Sequence, residues 1–215
     1  MSVIELIKKF DPITLSEMDD VKLMNRTDTK FTFKTSQLLN LLPRMLDHYC
    51  ILEIDGLRIQ DYRSLYYDTE DRKFYIDHHN QRVNRNKIRF REYINSGLTF
   101  MEIKLKNNKG KTIKKRKRVK NIPLRLSKEH LDYIDNIIGK RLDIAAKQWI
   151  NFSRITFVHK IYKERLTIDL NLNFKYGDQV LEMQNIVIAE VKQERVSRLS
   201  DFMRITKEMS ILPMR

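Results

Sequence analysis

Several segments of this chain alternate basic and apolar residues with a period of two, which is the side-chain period of a β-strand. In the segment 85–93, four cations fall on the same side: Arg85, Lys87, Arg89 and Arg91. Ile88 and Phe90 fall on the other side. A strand of this kind needs an apolar core against one face and an environment that accepts dense positive charge on the other.

The pattern recurs in the next two segments and again near the C-terminus. Residues 98–106 and 111–119 follow 85–93 across turns at 95–97 and 107–110, so the three predict an antiparallel meander. Their charged faces carry Glu102, Lys104 and Lys106, and then Lys114, Arg116 and Arg118. In 185–194, Glu190 and Lys192 share a face opposite Ala189 and Val191.

The rest of the chain predicts helices before, between and after the strands. Helical spacing and caps indicate helices at 14–24, 36–49, 70–81, 127–150 and 196–209. Further strands are predicted at 25–35, 51–54, 57–69, 153–162 and 164–176. The class is therefore α+β, built on a mostly antiparallel sheet that is large enough to close. No Pro/Gly/Ser-rich linker interrupts the chain, which predicts a single domain over 1–215.

The positive charge is concentrated in one part of the chain. The formal net charge is +14, and residues 82–118 alone contribute +12, from fourteen Lys and Arg residues against two acids. So local an excess indicates a polyanionic partner: nucleic acid, an anionic membrane surface or a phosphate-rich small molecule.

Composition and the N-terminal sequence indicate where in the cell the protein is located. No stretch approaches the roughly 20 consecutive apolar residues of a membrane span, so no span is expected. The N-terminus lacks the layout of a signal peptide. Cys50 is the sole cysteine and cannot form a disulfide within the chain. These features predict a cytoplasmic protein.

The cationic faces have two interpretations. Each strand alone is typical of a sheet whose polar face is solvated. Across four strands that interpretation weakens, because solvated faces mix both signs and like charges opposite each other on neighbouring strands are destabilising. A ligand that neutralises the charge explains the pattern better.

Three acids lie among these cations. Glu102 and Glu190 each stand two residues before a lysine, and Asp169 shares a face with Arg165. Salt bridges are one explanation. The other is a Mg²⁺ or Mn²⁺ site, because hard cations bind through one or two carboxylates together with the phosphates of a substrate. No Gly-rich phosphate loop, nucleophile elbow or histidine pair with ligand spacing is found in the sequence.

Taken in order, seven motifs resemble one known family. They are DTKF with Lys30, YYDT at 66–69, NRNKIRFREY, FMEIKLK, KTIKKR, RLTID and AEVK. Together they resemble the catalytic domain of the vacuolar transporter chaperone (VTC) family, one of the triphosphate tunnel metalloenzymes. The similarity runs from about Arg26 to Lys192 and is strongest in the block from NRNKIRFREY to KTIKKR.

The resemblance implies a closed antiparallel barrel of about eight strands, with flanking and inserted helices, whose lumen is a basic tunnel. It implies a polyphosphate polymerase that moves the γ-phosphate of ATP onto a polyphosphate chain in that tunnel. The residues implied to line it are Lys30, Arg89, Arg91, Lys104, Lys114, Arg154 and Arg165. Glu190 is implied to bind the metal, beside Lys192. The resemblance is to the stand-alone, bacterial-type members, so the regulatory inositol-phosphate-sensing domain and the membrane spans of other members are not expected. Relatives usually continue past the segment that corresponds to the end of this chain with a further tunnel lysine.

Combining resemblance and alternation gives the predicted site. Catalysis is assigned to Arg89, Arg91, Lys104, Arg165 and Glu190. Substrate binding is assigned to Lys30, Arg85, Lys87, Lys114, Arg116, Arg154 and Lys192. The metal ligands are Glu190 and Glu102, the metal Mn²⁺ or Mg²⁺, and the partners ATP and polyphosphate or another triphosphate.

Two alternatives stay open. The same fold can act as a triphosphatase or polyphosphatase by admitting water. The second is a nucleic-acid-binding module that uses the charge of 82–118 with Phe90 and Tyr93 for stacking. Against it, Phe90 lies opposite the cations, and the module gives Glu102 and Glu190 no role. No nucleic acid is therefore expected as a partner.

Overall fold

The structure is a computed structural model that describes residues 1–19, 27–108, 112–194 and 200–214. Several predicted elements extend past these ranges: the helix at 14–24, the strand at 25–35, the turn at 107–110, the strand at 111–119 and the helix at 196–209. Their parts at 20–26, 109–111 and 195–199 lie outside the described residues.

Helices and strands alternate along the chain. The helices of the described residues are α1 Val3–Ile7, α2 Leu15–Asp19, α3 Thr35–Met45, α4 Lys73–His79, α5 Lys128–Ile138, α6 Asp201–Glu208 and a 3-10 turn at Ile94–Ser96. The strands are β1 Pro12–Ile13, β2 Thr27–Lys34, β3 Tyr49–Leu52, β4 Gln60–Asp68, β5 Arg85–Tyr93, β6 Leu98–Lys106, β7 Thr112–Val119, β8 Ala145–His159, β9 Glu164–Tyr176, β10 Gln179–Met183 and β11 Ile186–Gln193. None of the helices in these ranges combines the length and apolar character needed to cross a bilayer.

The elements form two compact units. Unit 1 comprises Met1–Gln60, Phe152–Leu172 and Glu182–Arg215. Unit 2 comprises Asp61–Asn151 and Asn173–Leu181. The strand β8 begins in unit 2 and ends in unit 1.

In unit 1, β11 lies antiparallel between β2 and β9. One side of these three strands is apolar and fully buried, and its residues are Phe31, Phe33, Leu166, Ile168, Val187, Ala189 and Val191. Apolar residues of α3 and α6 belong to the same core, among them Leu38, Leu41 and Phe202. Because side chains alternate along a strand, the polar residues between them occupy the opposite face.

In unit 2, β4, β5, β6 and β7 form an antiparallel meander. The apolar sides of β5 and β6 pack with Ile134 of α5 in one core, and the strand residues concerned are Ile88, Phe90, Met101 and Ile103. These side chains are at most 1% exposed. The basic residues of β5 and β6 therefore occupy the face of the meander opposite this core.

The α+β class and the mostly antiparallel sheet are confirmed. The strand order is β2-β11-β9-β8-β4-β5-β6-β7, with β1, β3 and β10 added at the side, giving eleven strands. A closed barrel of eight strands is not confirmed. In the part of the chain that the structure describes, β2 and β7 stand at the two ends of the order without pairing to each other.

The helix predicted over 127–150 is wrong in its second half. The helix α5 ends at Ile138, where Gly139 takes a left-handed conformation with φ of 80°. Residues from Ala145 onward are strand β8. Ala146 and Trp149 pack against the core of unit 2, and pairing and burial of this kind override the helix propensity of AAKQ. The strand β10 was not predicted either.

The loop between β4 and α4 is fixed by one buried carboxylate. Asp68 is 7% exposed. Its Oδ1 accepts hydrogen bonds from the backbone N–H groups of Thr69 and Phe74, both at 2.8 Å, and its Oδ2 accepts one from Tyr75 at 2.9 Å. This caps the first turn of α4 and sets where that helix begins.

We expect Asp68→Ala to lower the free energy of unfolding by about 2 kcal/mol, because it removes a helix cap and leaves backbone donors without partners. Urea denaturation measures the loss. Asp178→Ala is the control, since Asp178 is exposed in the turn between β9 and β10 and its change should stay within about 0.5 kcal/mol. Equal losses for the two variants would contradict the capping role.

Candidate anion-binding faces

Three lysines face one another across three neighbouring strands of unit 2. Lys87 of β5 stands opposite Lys104 of β6, and Lys104 stands opposite Lys114 of β7. Side chains paired in this way have Cβ atoms about 4.5–5.5 Å apart, and like charges at that separation repel. We call this set the lysine row.

The repulsion within the row acts most clearly on Lys104, which stands at its centre. Burial of its ammonium group lowers its pKa, and the neighbouring Arg89, Lys87 and Lys114 lower it further, to about 8. Glu102 opposes the shift without cancelling it. A group buried among like charges prefers its neutral form unless an anion arrives. A bound anion would therefore stabilise the charged form of Lys104 and reduce the repulsion within the lysine row.

A second row crosses the same strands next to the lysines. Arg89 stands between Tyr66 of β4 and Glu102 of β6, and Glu102 stands opposite Arg116 of β7. Arg89 donates from Nε to Glu102 Oε2 at 2.7 Å and from a terminal nitrogen to the Tyr66 hydroxyl at 2.9 Å. The Arg116 Nε lies 3.8 Å from Glu102 Oε1. Arg89 is thus held rigidly, with its charge only partly compensated.

Tyr66 was not singled out by sequence reasoning, although YYDT carried part of the resemblance. Burial acts to raise the pKa of its hydroxyl, but the charges of Arg89, Lys87 and Arg91 outweigh burial and lower that pKa to about 8. The signal was available in β4. Tyr62, Ser64 and Tyr66 alternate in the same way as the cations of β5, so they share its charged face.

The other predicted residues of unit 2 lie on the same face. Arg91 is buried and donates from Nε to the Ser64 hydroxyl at 3.0 Å. Arg85 is half-buried at the start of β5 and donates to the Arg82 carbonyl at 3.1 Å. Arg116 is about half exposed, and its guanidinium carbon lies 3.4 Å from the centroid of the Phe100 ring. The structure thus brings seven predicted cations and Glu102 together on the meander.

Unit 1 carries a smaller group built around Glu190. Lys30 of β2 and Thr167 of β9 stand on either side of Glu190 of β11. Lys192 forms an ion pair with Glu190 and donates to the Thr167 hydroxyl at 3.1 Å. Burial acts to raise the pKa of Glu190, yet the charges of Lys192, Lys30 and Arg154 keep it below its usual range. Glu190 is therefore ionised although largely removed from water.

The remaining cations of unit 1 surround this pair. Arg154 of β8 donates two hydrogen bonds to Asp169 of β9, at 2.6 and 2.7 Å. Arg165 stands opposite Lys192 in the β9–β11 register. Burial lowers the pKa of Lys192, and the charges of Arg154 and Arg165 add to that effect against the opposing charge of Glu190. Unit 1 therefore holds Lys30, Arg154, Arg165 and Lys192 with two carboxylates.

The three predicted carboxylates differ in how well they suit a divalent metal. Both oxygens of Asp169 accept from Arg154, and both oxygens of Glu102 face guanidinium groups. Glu190 uses Oε2 for Lys192, and among the described residues its Oε1 accepts no hydrogen bond. An ionised, half-buried carboxylate with one oxygen available suits an ion that takes its other ligands from phosphate. Of the three, Glu190 fits a metal best, and the assignments of Glu190 and Glu102 as metal ligands both stay predictions.

A further group with metal-type ligands was not found from the sequence. His48, His159 and Asp201 of unit 1 place one ligand atom each within 4.8 Å of one another. Yet Nδ1 of His159 accepts from two backbone N–H groups at 3.0 Å, so its Nε2 carries the proton and donates to Asp201 at 3.0 Å. That tautomer has no lone pair left for a metal. The group fastens the start of α6 to β8.

Comparison with known proteins adds a family and a fold. A family model described as the VTC domain matches residues 25–210. Comparison with curated proteins finds no match. Among solved structures, a candidate adenylate cyclase from Bacillus halodurans aligns with a TM-score of 0.55 at 12% identity, over 89% of this chain and 95% of that chain. At that identity the likeness shows a shared fold.

A second solved structure is less similar in fold. It is a candidate adenylyl cyclase from Hippeastrum, described as having a dominant triphosphatase activity, which aligns with a TM-score of 0.49 at 15% identity. It covers 88% of this chain and 90% of that chain. The triphosphatase activity is that of the Hippeastrum protein. Its TM-score is too low to support a conclusion about this chain.

We expect anion binding by unit 2 to weaken as the pH rises from 7 to 9. Lys104, with a pKa of about 8, is charged at the lower pH and mostly neutral at the higher one, while Tyr66, also at about 8, gains a negative charge. Losing the Lys104 charge alone should weaken binding of inorganic triphosphate about tenfold. Calorimetric titration at the two pH values measures the change.

Lys104→Arg is the control for that titration. Arginine stays charged throughout this pH range, so the variant should lose clearly less affinity between pH 7 and pH 9 than the wild type, because only the charges of Tyr66 and of the ligand still change. Equal losses in the wild type and in Lys104→Arg would show that the charge of Lys104 does not contribute to the pH dependence of binding.

Proposed function

Because this chain belongs to the VTC domain family, we propose that it is a divalent-metal-dependent phosphotransferase that moves the γ-phosphate of ATP onto a polyphosphate chain. Membership confirms the resemblance noted among the sequence motifs. The transferase activity and the roles of single residues are the proposal, as are Mn²⁺ or Mg²⁺ as the metal and ATP and polyphosphate as the ligands. The enclosed tunnel stays a prediction.

The lysine row is the observation that supports this proposal most strongly. A face used only for solvation places acids opposite bases, whereas Lys87, Lys104 and Lys114 stand opposite one another. A polyphosphate chain carries about one negative charge on each phosphate, so a row of ammonium groups is complementary to it. Lys104 has its pKa lowered to about 8, and a phosphate bound beside it would relieve the repulsion that lowers that value.

The chemistry needs little beyond positioning and electrostatic stabilisation. The acceptor is a terminal phosphate oxygen that is already anionic, so no group has to remove a proton from it. The barrier comes from repulsion between two anions and from the charge on the transferring phosphoryl group. Arg89, fixed between Glu102 and Tyr66, and Lys104 would stabilise that charge from preset positions, which costs no reorganisation during the reaction.

In unit 1, Glu190 would hold the metal. The bound ion would neutralise phosphate oxygens and orient them. Lys192 and Thr167 keep the Glu190 carboxylate in place, and Lys30 and Arg154 add positive charge near it. These residues would bind phosphate oxygens and exclude a competing water.

The carboxylates near the cations are weak bases, and this favours transfer to phosphate over hydrolysis. Hydrolysis requires a group that takes a proton from water. The neighbouring cations lower the pKa of Glu102 and of Glu190, which makes both carboxylates weak bases. Tyr66 is the observation that favours the alternative, because a hydroxyl with a pKa near 8 can accept a proton when ionised. A triphosphatase or polyphosphatase is therefore the second candidate function.

A nucleic-acid-binding module gains little support from unit 2. Stacking of bases requires open aromatic rings on the cationic face. Here the cations of the protein already lie over those rings, with Arg116 against Phe100 and Tyr93, and Arg91 over Tyr62 at 5.2 Å. Phe90 is fully buried. The rings that the sequence offered for stacking are therefore occupied or inaccessible.

We expect incubation with ATP and Mn²⁺ to yield ADP and polyphosphate, with little free phosphate. Electrophoresis with a polyphosphate stain measures the polymer, and a molybdate assay measures phosphate. Chelation of the metal should stop the formation of both ADP and polyphosphate. Free phosphate equal to the ADP formed, without polymer, would identify a hydrolase.

We expect the substitution Glu190→Gln to abolish this metal-dependent turnover. It keeps the size of the side chain but removes the charge that a hard cation needs, so turnover should fall to background while the melting curve shows a folded protein. Glu194→Gln, on an exposed residue just past β11, should retain wild-type turnover. Undiminished turnover of Glu190→Gln would remove Glu190 from the metal site.

A further inference from the structure

A cavity of about 370 Å³ opens beside α4, and all the residues that line it belong to unit 2. Asn86 and Ile88 of β5 are among them. By the alternation of the strand, these two side chains point away from the side that carries Arg89. The proposed phosphate chemistry uses Arg89 and Lys104, neither of which lines the cavity. The proposed function therefore leaves this cavity without a role.

Aromatic rings form much of the wall of the cavity. Tyr67 of β4, Phe74 and Tyr75 of α4 and Phe174 of β9 line it. Tyr67 and Phe74 are buried, whereas Tyr75 is 58% exposed. Rings of this kind favour a ligand with an aromatic body, which packs against their faces and edges. The volume is within the usual range of a small-molecule site.

The polar groups of the cavity are mainly cations and amides, which donate hydrogen bonds. They are Arg72, Lys87, Lys147, Asn86 and Gln148. The two amides are half-buried and form no hydrogen bond with other residues in the described ranges. Asp68 also lines the cavity, but both of its oxygens already accept from backbone N–H groups. A ligand group that is anionic and only accepts hydrogen bonds, such as a carboxylate, satisfies this lining.

Lys147 is the cation best placed to hold such a group. Its side chain is 15% exposed, and its Nζ lies 2.8 Å from Oε2 of Glu70, whose side chain is 97% exposed. An ion pair with an acid in open water is weak, because water screens the charges and the acid is free to move. A carboxylate inside the cavity, where less water is present, would attract the same ammonium group more strongly.

We propose that this cavity binds a small aromatic carboxylate, with its ring against Tyr75 and Phe174 and its carboxylate on Lys147. The bound carboxylate replaces Glu70 as the partner of Lys147, and the amide of Gln148 donates to it. Such a ligand is neither the ATP nor the polyphosphate of the proposed function. The site does not depend on that function, because it uses none of the groups assigned to phosphoryl transfer.

Calorimetric titration of the full chain with 2-naphthoate and with the neutral 2-naphthamide tests this. The wild type should bind the carboxylate about tenfold more tightly, because hydrogen bonds to a charged group are the stronger ones. Lys147→Gln should weaken 2-naphthoate about tenfold and leave 2-naphthamide unchanged. Glu70→Gln should tighten 2-naphthoate about twofold, since it removes the competing carboxylate. Tyr75→Ala should weaken both probes about fivefold through the lost ring contact.

Lys106→Gln is the matched control, because it removes the same charge from β6 and Lys106 does not line the cavity. Its affinity for 2-naphthoate should equal that of the wild type. Equal losses in Lys106→Gln and Lys147→Gln would place the probe on the cationic face and overturn the proposal. No saturable binding by the wild type, or equal affinity for the two probes, would overturn it too. Glu70 and Tyr75 are exposed, so their variants keep a folding defect in Lys147→Gln from deciding the result.

Discussion

Repulsion between like charges on adjacent strands is the constraint around which unit 2 is built. Each unfavourable cross-strand pair costs up to about 1 kcal/mol, and the lysine row contains two of them. The other face of the same strands buries Ile88, Phe90, Met101 and Ile103, and each such side chain contributes about 1.5–3 kcal/mol. The apolar face therefore outweighs the repulsion, so the cations can be held close together in the absence of ligand.

The few acids keep the cations ordered without neutralising them. In unit 2 Glu102 binds Arg89 and lies near Arg116, while the residues that stand opposite one another within the lysine row are all lysines. In unit 1, Asp169 fixes Arg154, and Glu190 pairs with Lys192 but keeps one oxygen free of hydrogen bonds from the described residues. This distribution separates two tasks: positioning guanidinium groups, and presenting charge to phosphate and metal.

The sequence predicted the strands of unit 2 closely because their alternation is local. β5 and β6 have the predicted bounds, and the cations of β5 share the predicted face. The register between strands was not predictable, since it depends on turn geometry and core packing, and only the register places Lys87, Lys104 and Lys114 in one row. The strand at Ala145 and the cavity were missed for a related reason: both depend on tertiary contacts, of Trp149 with the core and of α4 with β5. Tyr66 was missed although its alternation with Ser64 was visible.

The central claim is that these faces are suited to a slim chain of phosphates and not to a broad polyanion. Lys104 is half-buried within its row, where a phosphate chain reaches it more easily than the backbone of a duplex. The direct measurement is the melting temperature of the protein with inorganic triphosphate and with duplex DNA of equal total charge. Binding to the folded state at a hundred times Kd stabilises it by about 2.7 kcal/mol, so triphosphate should raise the melting temperature clearly. The duplex should raise it only slightly, through exposed cations such as Lys115. Strong protection by the duplex and none by triphosphate would contradict the account.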